Sequence, residues 1–330
     1  MTELSTLRIG VISTADIGLT KVIPAIQRSD RCDVTAISSR RADVAQDAAA
    51  RLGIPEHFGS YESMLADPDI DAVYNPLPND LHTEWNLAAI HAGKHVLTEK
   101  PFGMNASEIE VVFTEADRAG VKIVEGFMYR SHPTWLAVRE LIRAGEIGEL
   151  SHVQTYFGYS NLDPTNIRNI VEHGGGALMD VGCYGVNSAC FLFDGEPEVV
   201  GATVDRHPDF GTDTVTSALL RFANGTAGFT CATALESGQW VHIVGTEGRI
   251  DIAIPFNIPI DIPTYVHVTK GGDPPVAPNV RTIEFAACDQ YTTQADSFAA
   301  HVLDGAPPNI THAESMATMR VIDQIFVAAR

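Results

Sequence analysis

Two segments of the 330-residue chain carry ionisable side chains whose types and spacing suit proton transfer and ligand binding. Lys100 stands immediately before Pro101, which fixes the backbone and limits the conformations open to the lysine. Asp180 and Tyr184 follow three glycines, Gly174-Gly175-Gly176, and a spacing of four residues places them on one face of a helix. An acid and a phenol among Leu, Met, Val and Cys are poor core residues unless they serve a function. Amines, carboxylates and phenols exchange protons, so the two segments are candidates for an acid–base site.

Each segment also has a structural interpretation. A Lys-Pro pair by itself is usually a surface lysine in a loop. A tyrosine with an acid four residues before it can be a buried, hydrogen-bonded pair. The three glycines would allow the start of a helix to pack against a flat partner such as a cofactor. The elements that position each segment therefore matter as much as the segments themselves.

The first 125 residues alternate short apolar runs with helix-like stretches. Strands this apolar are typical of a parallel sheet covered on both faces, which predicts a doubly wound, Rossmann-type α/β domain over residues 1–125. Lys100 follows the fourth strand, at the carboxyl edge where open α/β sheets bind ligands. Ser107-x-x-Glu110 is a predicted capping box that begins a helix ending at Ala119. The predicted strands are Leu7–Ser13, Val34–Ile37, Ala72–Asn75, His95–Thr98 and Val121–Glu125, and the other predicted helices are Val22–Arg28, Ala42–Leu52 and Asp80–His91.

The turn after the first strand is where a dinucleotide pyrophosphate usually binds in such a sheet. Small residues there allow close approach, and the N-terminus of the next helix attracts an anion. The Gly-x-Gly-x-x-Gly pattern survives only as Ser13-Thr14-Ala15-Asp16-Ile17-Gly18, with one glycine of three. Serine and alanine are small enough for the turn, so Ser13, Ala15, Asp16 and Ile17 are predicted to contact the cofactor. An ordinary strand–helix turn is the alternative.

The end of the second strand predicts which dinucleotide binds. An NAD enzyme usually has Asp or Glu there for the ribose 2′-hydroxyl, whereas this chain has Ser38-Ser39-Arg40-Arg41 and no acid. Hydroxyl and guanidinium groups bind a 2′-phosphate, which a carboxylate would repel. Ser39, Arg40 and Arg41 are therefore predicted to select NADP. The alternative is a solvated, basic start to the next helix.

The second half of the chain has a different pattern. Pro133–Ala144 and Ala177–Phe193 are predicted helices, and strand-like stretches follow, with Asn224-Gly225 as a hairpin turn. This order predicts that residues 126–330 form an α+β domain with a large, mainly antiparallel open sheet. The predicted strands are Val199–Val204, Thr214–Phe222, Thr226–Thr230, Val241–Val244, Ile250–Ile254, Tyr265–Thr269 and Thr282–Phe285, and the last two predicted helices are Thr293–Leu303 and Glu314–Ala329.

Composition and charge exclude several classes of function. Apolar residues make up 45% and charged residues 19%, as in a compact globular protein. The net charge of −20 disfavours nucleic acid and anionic membrane surfaces as partners. No uncharged apolar run reaches the roughly 18 residues of a membrane span, and Met1–Leu7 is not expected to be a secretory signal. Five cysteines without a Cys-x-x-Cys pair indicate a reducing, cytoplasmic setting, and no metal site is expected.

Taken together, the motifs resemble the glucose–fructose oxidoreductase / inositol dehydrogenase / MocA family. The resemblance covers essentially the whole chain. It rests on the first-strand loop, on Pro76-Leu77-Pro78-Asn79-Asp80-Leu81-His82, on Glu99-Lys100-Pro101 and on the glycine-led segment that ends at Tyr184. Many members have histidine in place of Tyr184, and the tyrosine form is similar to the dihydrodiol and D-xylose dehydrogenase branch. The segments 125–133 and 166–169 are also most similar to that branch, whereas Ser13 and Ala15 replace family glycines.

The resemblance implies an enzyme that transfers a hydride between a nicotinamide cofactor and a carbinol or carbonyl carbon of a sugar, polyol or diol. Tyr184 would be the general acid/base, because a nearby Lys100 ammonium lowers the pKa of a phenol from about 10. Lys100 would also orient the substrate oxygen, and Asp180 would position Lys100 or accept a substrate hydroxyl. A homodimer or higher oligomer through the second sheet is implied as well. The implied cofactor contacts include Pro76, Leu77, Asn79, His82, Glu99 and Lys100, and the implied substrate contacts are Tyr129, Arg130, Arg168, Asp180 and Tyr184.

Several functions are compatible with this resemblance. The sequence does not separate an aldose or D-xylose 1-dehydrogenase from a trans-dihydrodiol dehydrogenase, or either from an NADPH-dependent keto-sugar reductase. A non-catalytic sensor would bind the dinucleotide without reacting it, and the presence of Lys100, Asp180 and Tyr184 together argues against that function. A glycoside-hydrolysing branch keeps NAD bound, whereas the residues at 38–41 favour NADP.

Overall fold

The computed structural model describes residues 6–271 and 279–329 and divides the chain into two compact units. The first unit contains the described residues up to Met128 and the segment Asp289–His312. The second contains those from Tyr129 to Cys288 and from Ala313 onward. The boundary expected from the sequence follows residue 125, and the first unit runs to Met128. The segment 289–312 differs from expectation, because it returns to the first unit.

Six parallel strands form the sheet of the first unit: β1 (Leu7–Val11), β2 (Cys32–Ser38), β3 (Glu56–Phe58), β4 (Ala72–Asn75), β5 (His95–Glu99) and β6 (Ile123–Gly126). Their order is β3-β2-β1-β4-β5-β6, which confirms the doubly wound α/β class. β4 is buried along its whole length, as its apolar run Ala72–Tyr74 predicts for a sheet covered on both faces. The order reverses between β1 and β4, so the loops after these strands border the same crevice.

The helices of this sheet that come first along the chain are α1 (Ile23–Ile26), α2 (Ala42–Leu52), α3 (Tyr61–Leu65), α4 (Asn79–His91) and α5 (Ala106–Ala119). A π-helical turn, Gly18–Val22, precedes α1, so this helix begins earlier than predicted. The capping box predicted at Ser107 is wrong. The side chain of Asn105 caps α5 by accepting a hydrogen bond of 3.0 Å from the Glu108 backbone N–H. Asn105 and Glu108 thus have the spacing that Ser107 and Glu110 were expected to supply.

Eight strands form the sheet of the second unit: β7 (Leu150–Ser160), β8 (Glu198–Arg206), β9 (Asp213–Phe222), β10 (Gly225–Ala232), β11 (Ala234–Gly245), β12 (Gly248–Ile252), β13 (Thr264–Lys270) and β14 (Val280–Phe285). The order is β14-β13-β12-β11-β7-β10-β9-β8, and every neighbouring pair is antiparallel except β7 and β10. The mainly antiparallel sheet is therefore confirmed. The central strand β7 was not predicted, because its buried residues Leu150 and Val153 are three apart, where a register shift interrupts the alternation.

The remaining helices are α6 (Pro133–Arg143), α7 (Cys183–Phe193), α8 (Gln290–Asp304) and α9 (His312–Ala328). Every residue of α7 is buried, which makes it the core helix of the second unit. Among the described residues, the helical stretch Val171–Phe193 is long and apolar enough to cross a membrane by length and composition. However, 94% of its most apolar window is buried inside the protein, as expected for a core helix.

Helix α8 belongs to the first unit, where it packs on α1 and β2. The Ser29 hydroxyl donates a hydrogen bond of 2.5 Å to Asp296, and the Thr292 hydroxyl donates one of 3.0 Å to the Ala25 carbonyl. Ion pairs join Arg28 to Asp289 and Arg31 to Asp304. The apolar side of α8 is buried through Ala295, Phe298 and Ala299. These partners lie more than 250 residues away along the chain, so no local pattern could have predicted them.

Candidate active site

The turn after β1 has a backbone conformation that normally requires glycine. Ser13 has a φ of 74°, in the left-handed region, and its hydroxyl accepts a hydrogen bond of 3.3 Å from the Ala15 backbone N–H. A non-glycine residue in this region costs on the order of 1 kcal/mol. Asp16 and Ile17 follow at the start of the helical segment that leads into the π turn. Ser13 thus has a backbone conformation typical of glycine, at the first position of the degraded Gly-x-Gly-x-x-Gly pattern.

Hydroxyl and guanidinium groups gather at the end of β2. The buried Ser38 hydroxyl donates to the Val11 carbonyl at 3.0 Å, and the Ser39 hydroxyl accepts from the Arg41 backbone N–H at 3.3 Å. Arg40 and Arg41 are both exposed, and Arg41 is paired with Asp43 at 3.2 Å. Burial raises the pKa of Tyr61, while the nearby Arg40 guanidinium acts in the opposite direction. The structure therefore places Arg40 beside a phenol and Arg41 beside a carboxylate.

A chain of buried amides supports the loop after β4. The Asn75 side chain donates to Asn86 at 2.9 Å and accepts from the Leu77 backbone N–H at 3.2 Å, and Asn86 donates to the Thr98 hydroxyl at 3.3 Å. Pro76 and Leu77 are buried, and Asn79 is half-buried at the start of α4. Leu77 is thereby fixed at the carboxyl edge of the sheet, next to the crevice.

His82 connects two of the predicted cofactor loops. It is fully buried, and its ring nitrogens lie 2.7 Å from the Leu77 carbonyl and 2.9 Å from the Pro101 carbonyl. Burial lowers the pKa of His82 from its usual value. Because both ring nitrogens face backbone carbonyls, His82 holds the two loops in place. We therefore do not propose His82 as a direct cofactor contact.

Lys100 follows β5 and is half-buried, with a cis peptide bond to Pro101. The preceding Glu99 accepts a hydrogen bond of 2.8 Å from the Tyr74 hydroxyl of β4. Tyr291, at the start of α8, also lies near Glu99. Burial raises the pKa of the Tyr291 phenol, and the negative charge of Glu99 raises it further. Sequence reasoning missed Tyr291, because its position at this edge follows from the return of residues 289–312 to the first unit.

The glycines before α7 pack against the protein itself. A Cβ on Gly176, which has a φ of 119°, would lie within 2.0 Å of the Asp213 carboxylate, and a Cβ on Gly175 would lie 2.5 Å from the Arg168 carbonyl. The expected flat partner, a cofactor, is therefore not needed to explain these glycines. Asp213 in turn accepts hydrogen bonds of 2.7 Å from the Leu178 backbone N–H and from the Thr216 hydroxyl. Sequence reasoning missed this buried cap.

Asp180 lies in a π-helical turn, Leu178–Gly182, that leads into α7. Its carboxylate accepts a hydrogen bond of 2.5 Å from the Tyr159 hydroxyl and one of 3.1 Å from Nε of Arg168. The Asp180 carboxylate raises the pKa of Arg168, as does the Tyr184 phenol to a smaller extent. The structure thus brings the predicted residues Asp180, Tyr184 and Arg168 together. It adds Tyr159, which lies on the strand that the sequence analysis did not find.

Tyr184 is buried among aromatic rings, with 4% of its surface exposed. The ring centroids of Phe256 and Phe157 lie 5.0 Å and 5.5 Å from that of Tyr184. A low-polarity surrounding strengthens the effect of any charge on the phenol. The surroundings suit a residue whose protonation is controlled by a few neighbouring charges.

Tyr129 and Arg130 have partners inside the second unit. The fully buried Tyr129 hydroxyl donates a hydrogen bond of 2.5 Å to Asn187, and Arg130 pairs with Glu314 at 2.6 Å. The Arg130 guanidinium also lies 3.9 Å from the centre of the Phe191 ring. Both side chains are at most 3% exposed, so we do not propose them as substrate contacts. In the described part of the chain, no group of three His, Cys, Asp or Glu side chains is arranged to hold a metal ion.

Known structures share this architecture. The 3-ketoreductase KijD10 from Actinomadura kijaniata, in complex with NADP and TDP-benzene, superposes with a TM-score of 0.90 at 32% sequence identity. The match covers 99% of this chain and 98% of the ketoreductase.

Sequence comparisons assign the family. D-xylose 1-dehydrogenase (NADP(+)) 2 of Haloferax volcanii is 39% identical over 97% of this chain and 96% of its own length. Trans-1,2-dihydrobenzene-1,2-diol dehydrogenase of Bos taurus is 31% identical over 78% of this chain and 77% of its own. Residues 7–127 match the oxidoreductase family model with an NAD-binding Rossmann fold, and residues 135–251 match the GFO/IDH/MocA C-terminal domain. The chain therefore belongs to the glucose–fructose oxidoreductase / inositol dehydrogenase / MocA family of oxidoreductases.

Proposed function

We propose that this chain is an NADP-dependent dehydrogenase that oxidises a carbinol carbon of a sugar or related diol, as an aldose 1-dehydrogenase or a trans-dihydrodiol dehydrogenase does. The observation that carries the proposal is the Tyr184 phenol, buried next to the Asp180–Arg168–Tyr159 group of the same unit. A buried phenol beside a bonded carboxylate and a guanidinium suits proton transfer. The NADP-linked D-xylose dehydrogenase relative, 39% identical, supports the same reaction class.

The residues at the carboxyl edge of the first sheet fit NADP. The Ser13 turn and the helical segment after it offer backbone N–H groups to a pyrophosphate. Ser39 and Arg40 offer a hydroxyl and a guanidinium to the 2′-phosphate, and residues 38–41 contain no carboxylate that would repel it. Ala15, Asp16, Ile17, Pro76, Leu77, Asn79, Glu99, Lys100 and Arg41 remain proposed contacts of this cofactor. When bound, NADP supplies a nicotinamide ring that accepts the hydride.

Tyr184 is proposed to take the proton of the substrate hydroxyl as the carbon is oxidised. Lys100 is proposed to hold the substrate oxygen and to favour the phenolate through its positive charge. Arg168 supplies a second positive charge near the phenol from within the same unit. Asp180 is proposed to accept a hydrogen bond from a neighbouring substrate hydroxyl.

A reductase acting on keto sugars is a second candidate. The same groups would then work in reverse, with Tyr184 donating a proton to a substrate carbonyl. The similarity to a 3-ketoreductase over 99% of this chain favours this candidate, because the whole fold and both domains are shared.

The test is a rate measurement from reduced-nicotinamide absorbance with NADP or NAD and a panel of aldoses, cyclitols and trans-dihydrodiols. Turnover with NADP on one class is the expected result. Tyr184→Phe removes only the phenol oxygen and should lower kcat at least 100-fold, the order of effect of a lost general base. Lys100→Ala should cause a loss of similar order.

Both variants should bind NADP within about twofold of wild type, since neither removes a proposed phosphate contact. Near-wild-type rates in both would contradict the assigned roles. Turnover of NADPH with keto sugars alone would favour the reductase. NADP binding without any turnover in either direction would favour a sensor.

We also propose that the protein acts in the cytoplasm as a homodimer or higher homo-oligomer. Exposed apolar side chains on the face of the second sheet away from its core support the oligomeric part of this proposal; they include Leu219, Val244 and Tyr265.

A further inference from the structure

The Tyr159 side chain connects the central strand of the second unit to the candidate active site. Its hydroxyl donates to Oδ2 of Asp180 at 2.5 Å, and Nε of Arg168 donates to the same oxygen at 3.1 Å. The two donors come from different parts of the fold, β7 and the 3-10 turn Ile167–Asn169. Two donors converging on one carboxylate oxygen restrict the directions in which that carboxylate can point.

The strand β7 contacts both Asp180, in the π-helical turn, and Tyr184, in helix α7. Phe157 packs against the Tyr184 ring, and Tyr159, two residues further on the same face of the strand, bonds to Asp180. Phe157 and Tyr159, two residues apart on the strand, thus contact Tyr184 and Asp180, which are four residues apart along the helical segment. One strand therefore contacts both the phenol ring and the carboxylate.

The ion pair between Arg168 and Asp180 fixes the carboxylate less firmly than a buried hydrogen bond does. The Arg168 side chain is 44% exposed, and an ion pair of that exposure contributes little fixed geometry. Tyr159 is better shielded, and burial together with Asp180 raises the pKa of its phenol above the usual value. Tyr159 therefore remains a protonated donor over the neutral range, which distinguishes it from a residue that exchanges protons with substrate.

We propose that Tyr159 is a positioning residue for substrate selection: its hydroxyl orients the Asp180 carboxylate so that it accepts a hydrogen bond from a substrate hydroxyl next to the reacting carbon. The inference rests on the proposed function, because it assumes that a sugar or diol binds at Asp180. Substrates that carry the neighbouring hydroxyl should depend on Tyr159. Analogues without it should be bound weakly by both forms of the protein.

Tyr159→Phe tests the proposal, with Tyr156→Phe as the matched control. Tyr156 lies on the same strand, but its hydroxyl donates to the Glu236 carbonyl, away from Asp180. Tyr159→Phe should raise KM for the preferred sugar or diol about tenfold, as for a lost hydrogen bond to a charged group. We expect kcat within about threefold and NADP affinity within about twofold of wild type, because neither the proposed general acid/base Tyr184 nor the cofactor site is altered. Tyr156→Phe should leave all three unchanged.

A double-mutant cycle separates positioning from a structural role. In an Asp180→Asn background, Tyr159→Phe should have little further effect on substrate affinity, because the carboxylate through which it acts is gone. Substrate affinity is read by calorimetric titration of the NADP complex, which does not require turnover. An equal loss of affinity in both backgrounds, or none in the wild-type background, would overturn the inference.

The same titration distinguishes this inference from the proposed function. If wild type binds a sugar or diol but turns over none, the proposed function fails and the comparison of Tyr159 variants still decides the inference. If wild type turns over substrate and Tyr159→Phe binds it equally well, the inference alone fails. If wild type binds no sugar or diol, both fail.

Discussion

Two neighbouring arginines at the end of β2 differ in what surrounds them. Arg41 is paired with Asp43 at 3.2 Å, which compensates part of its charge. Arg40 lies beside the Tyr61 phenol, and this contact, unlike that of Arg41, involves a neutral group. A guanidinium already held by a carboxylate gives up that pair when it binds a phosphate. Arg40 is therefore the stronger candidate for the 2′-phosphate, although the sequence pattern does not separate the two.

This difference predicts the behaviour of matched variants. Arg40→Ala should raise KM for NADP at least tenfold and leave KM for NAD unchanged, since only NADP carries the 2′-phosphate. Arg41→Ala should change KM for NADP by about threefold or less, because its charge is already paired. Initial rates with each cofactor at saturating substrate measure both effects. An equal loss of NADP and NAD affinity in Arg40→Ala would contradict the assignment.

At the scale of elements, a π-helical turn precedes helix α1, after the first-strand turn, and helix α7, which carries Tyr184. The Ile23 backbone N–H bonds to the Gly18 carbonyl, and the Cys183 backbone N–H bonds to the Leu178 carbonyl, each five residues back. A π turn accommodates one extra residue and recurs at functional sites. In the second unit, this places Asp180 inside the wide turn and Tyr184 in the regular helix that follows.

The buried Asp213 carboxylate, which caps the π turn before α7, should make the stability of the protein depend on pH. Burial raises the pKa of Asp213 from its usual value of 3.8, against the hydrogen bonds it accepts. A carboxyl group with a raised native pKa binds its proton more tightly when folded, so its contribution to stability decreases as the pH rises from 3.8 through the native value. Asp213→Asn removes this ionisation.

The free energy of unfolding of Asp213→Asn, measured in urea, should therefore increase relative to wild type as the pH rises through that interval. Asp205→Asn supplies the control, because it makes the same substitution at an exposed carboxylate of the same unit. Asp213→Ala should lose about 1–2 kcal/mol near neutral pH, because the Leu178 N–H loses its cap. A constant difference between Asp213→Asn and wild type at all pH values would contradict the linkage.

Local patterns predict elements well where the period is unbroken. The helix Ala42–Leu52 and the strand Ala72–Asn75 are observed with their predicted bounds, because a glycine ends the first and a short apolar run marks the second. β7 escaped prediction because its register shift interrupts the alternation. Tyr159 and Asp213 escaped for another reason. Their partners lie 21 and 35 residues away, so only the folded chain shows that they serve the site.

At the scale of the whole molecule, the high negative charge coexists with an apolar surface on the second sheet. The net charge is −20, yet Leu219 and Tyr265 are 45% and 44% exposed on the face away from the core. Like-charged copies repel at long range, so association through this face must rely on short-range apolar burial. Added salt should then favour association rather than oppose it.

Light scattering tests this expectation. The wild-type mass should correspond to a dimer or higher oligomer, and Leu219→Lys should shift it towards the 35.6 kDa of one chain. Val111→Lys is the matched control, because Val111 is a similarly exposed residue on a helix of the first unit. A monomeric wild-type protein, or equal dissociation in both variants, would contradict association through this face.

The return of residues 289–312 to the first unit makes the chain pass between the units three times, after Met128, Cys288 and His312. A fragment that stops at Met128 would lack α8 and expose the apolar surface that Phe298 and Ala299 cover. Recombination at one crossover point therefore cannot exchange one intact unit for that of a relative. In a chimera, residues 289–312 must come from the same parent as residues 1–128. An exchange of one intact unit between relatives therefore requires three junctions.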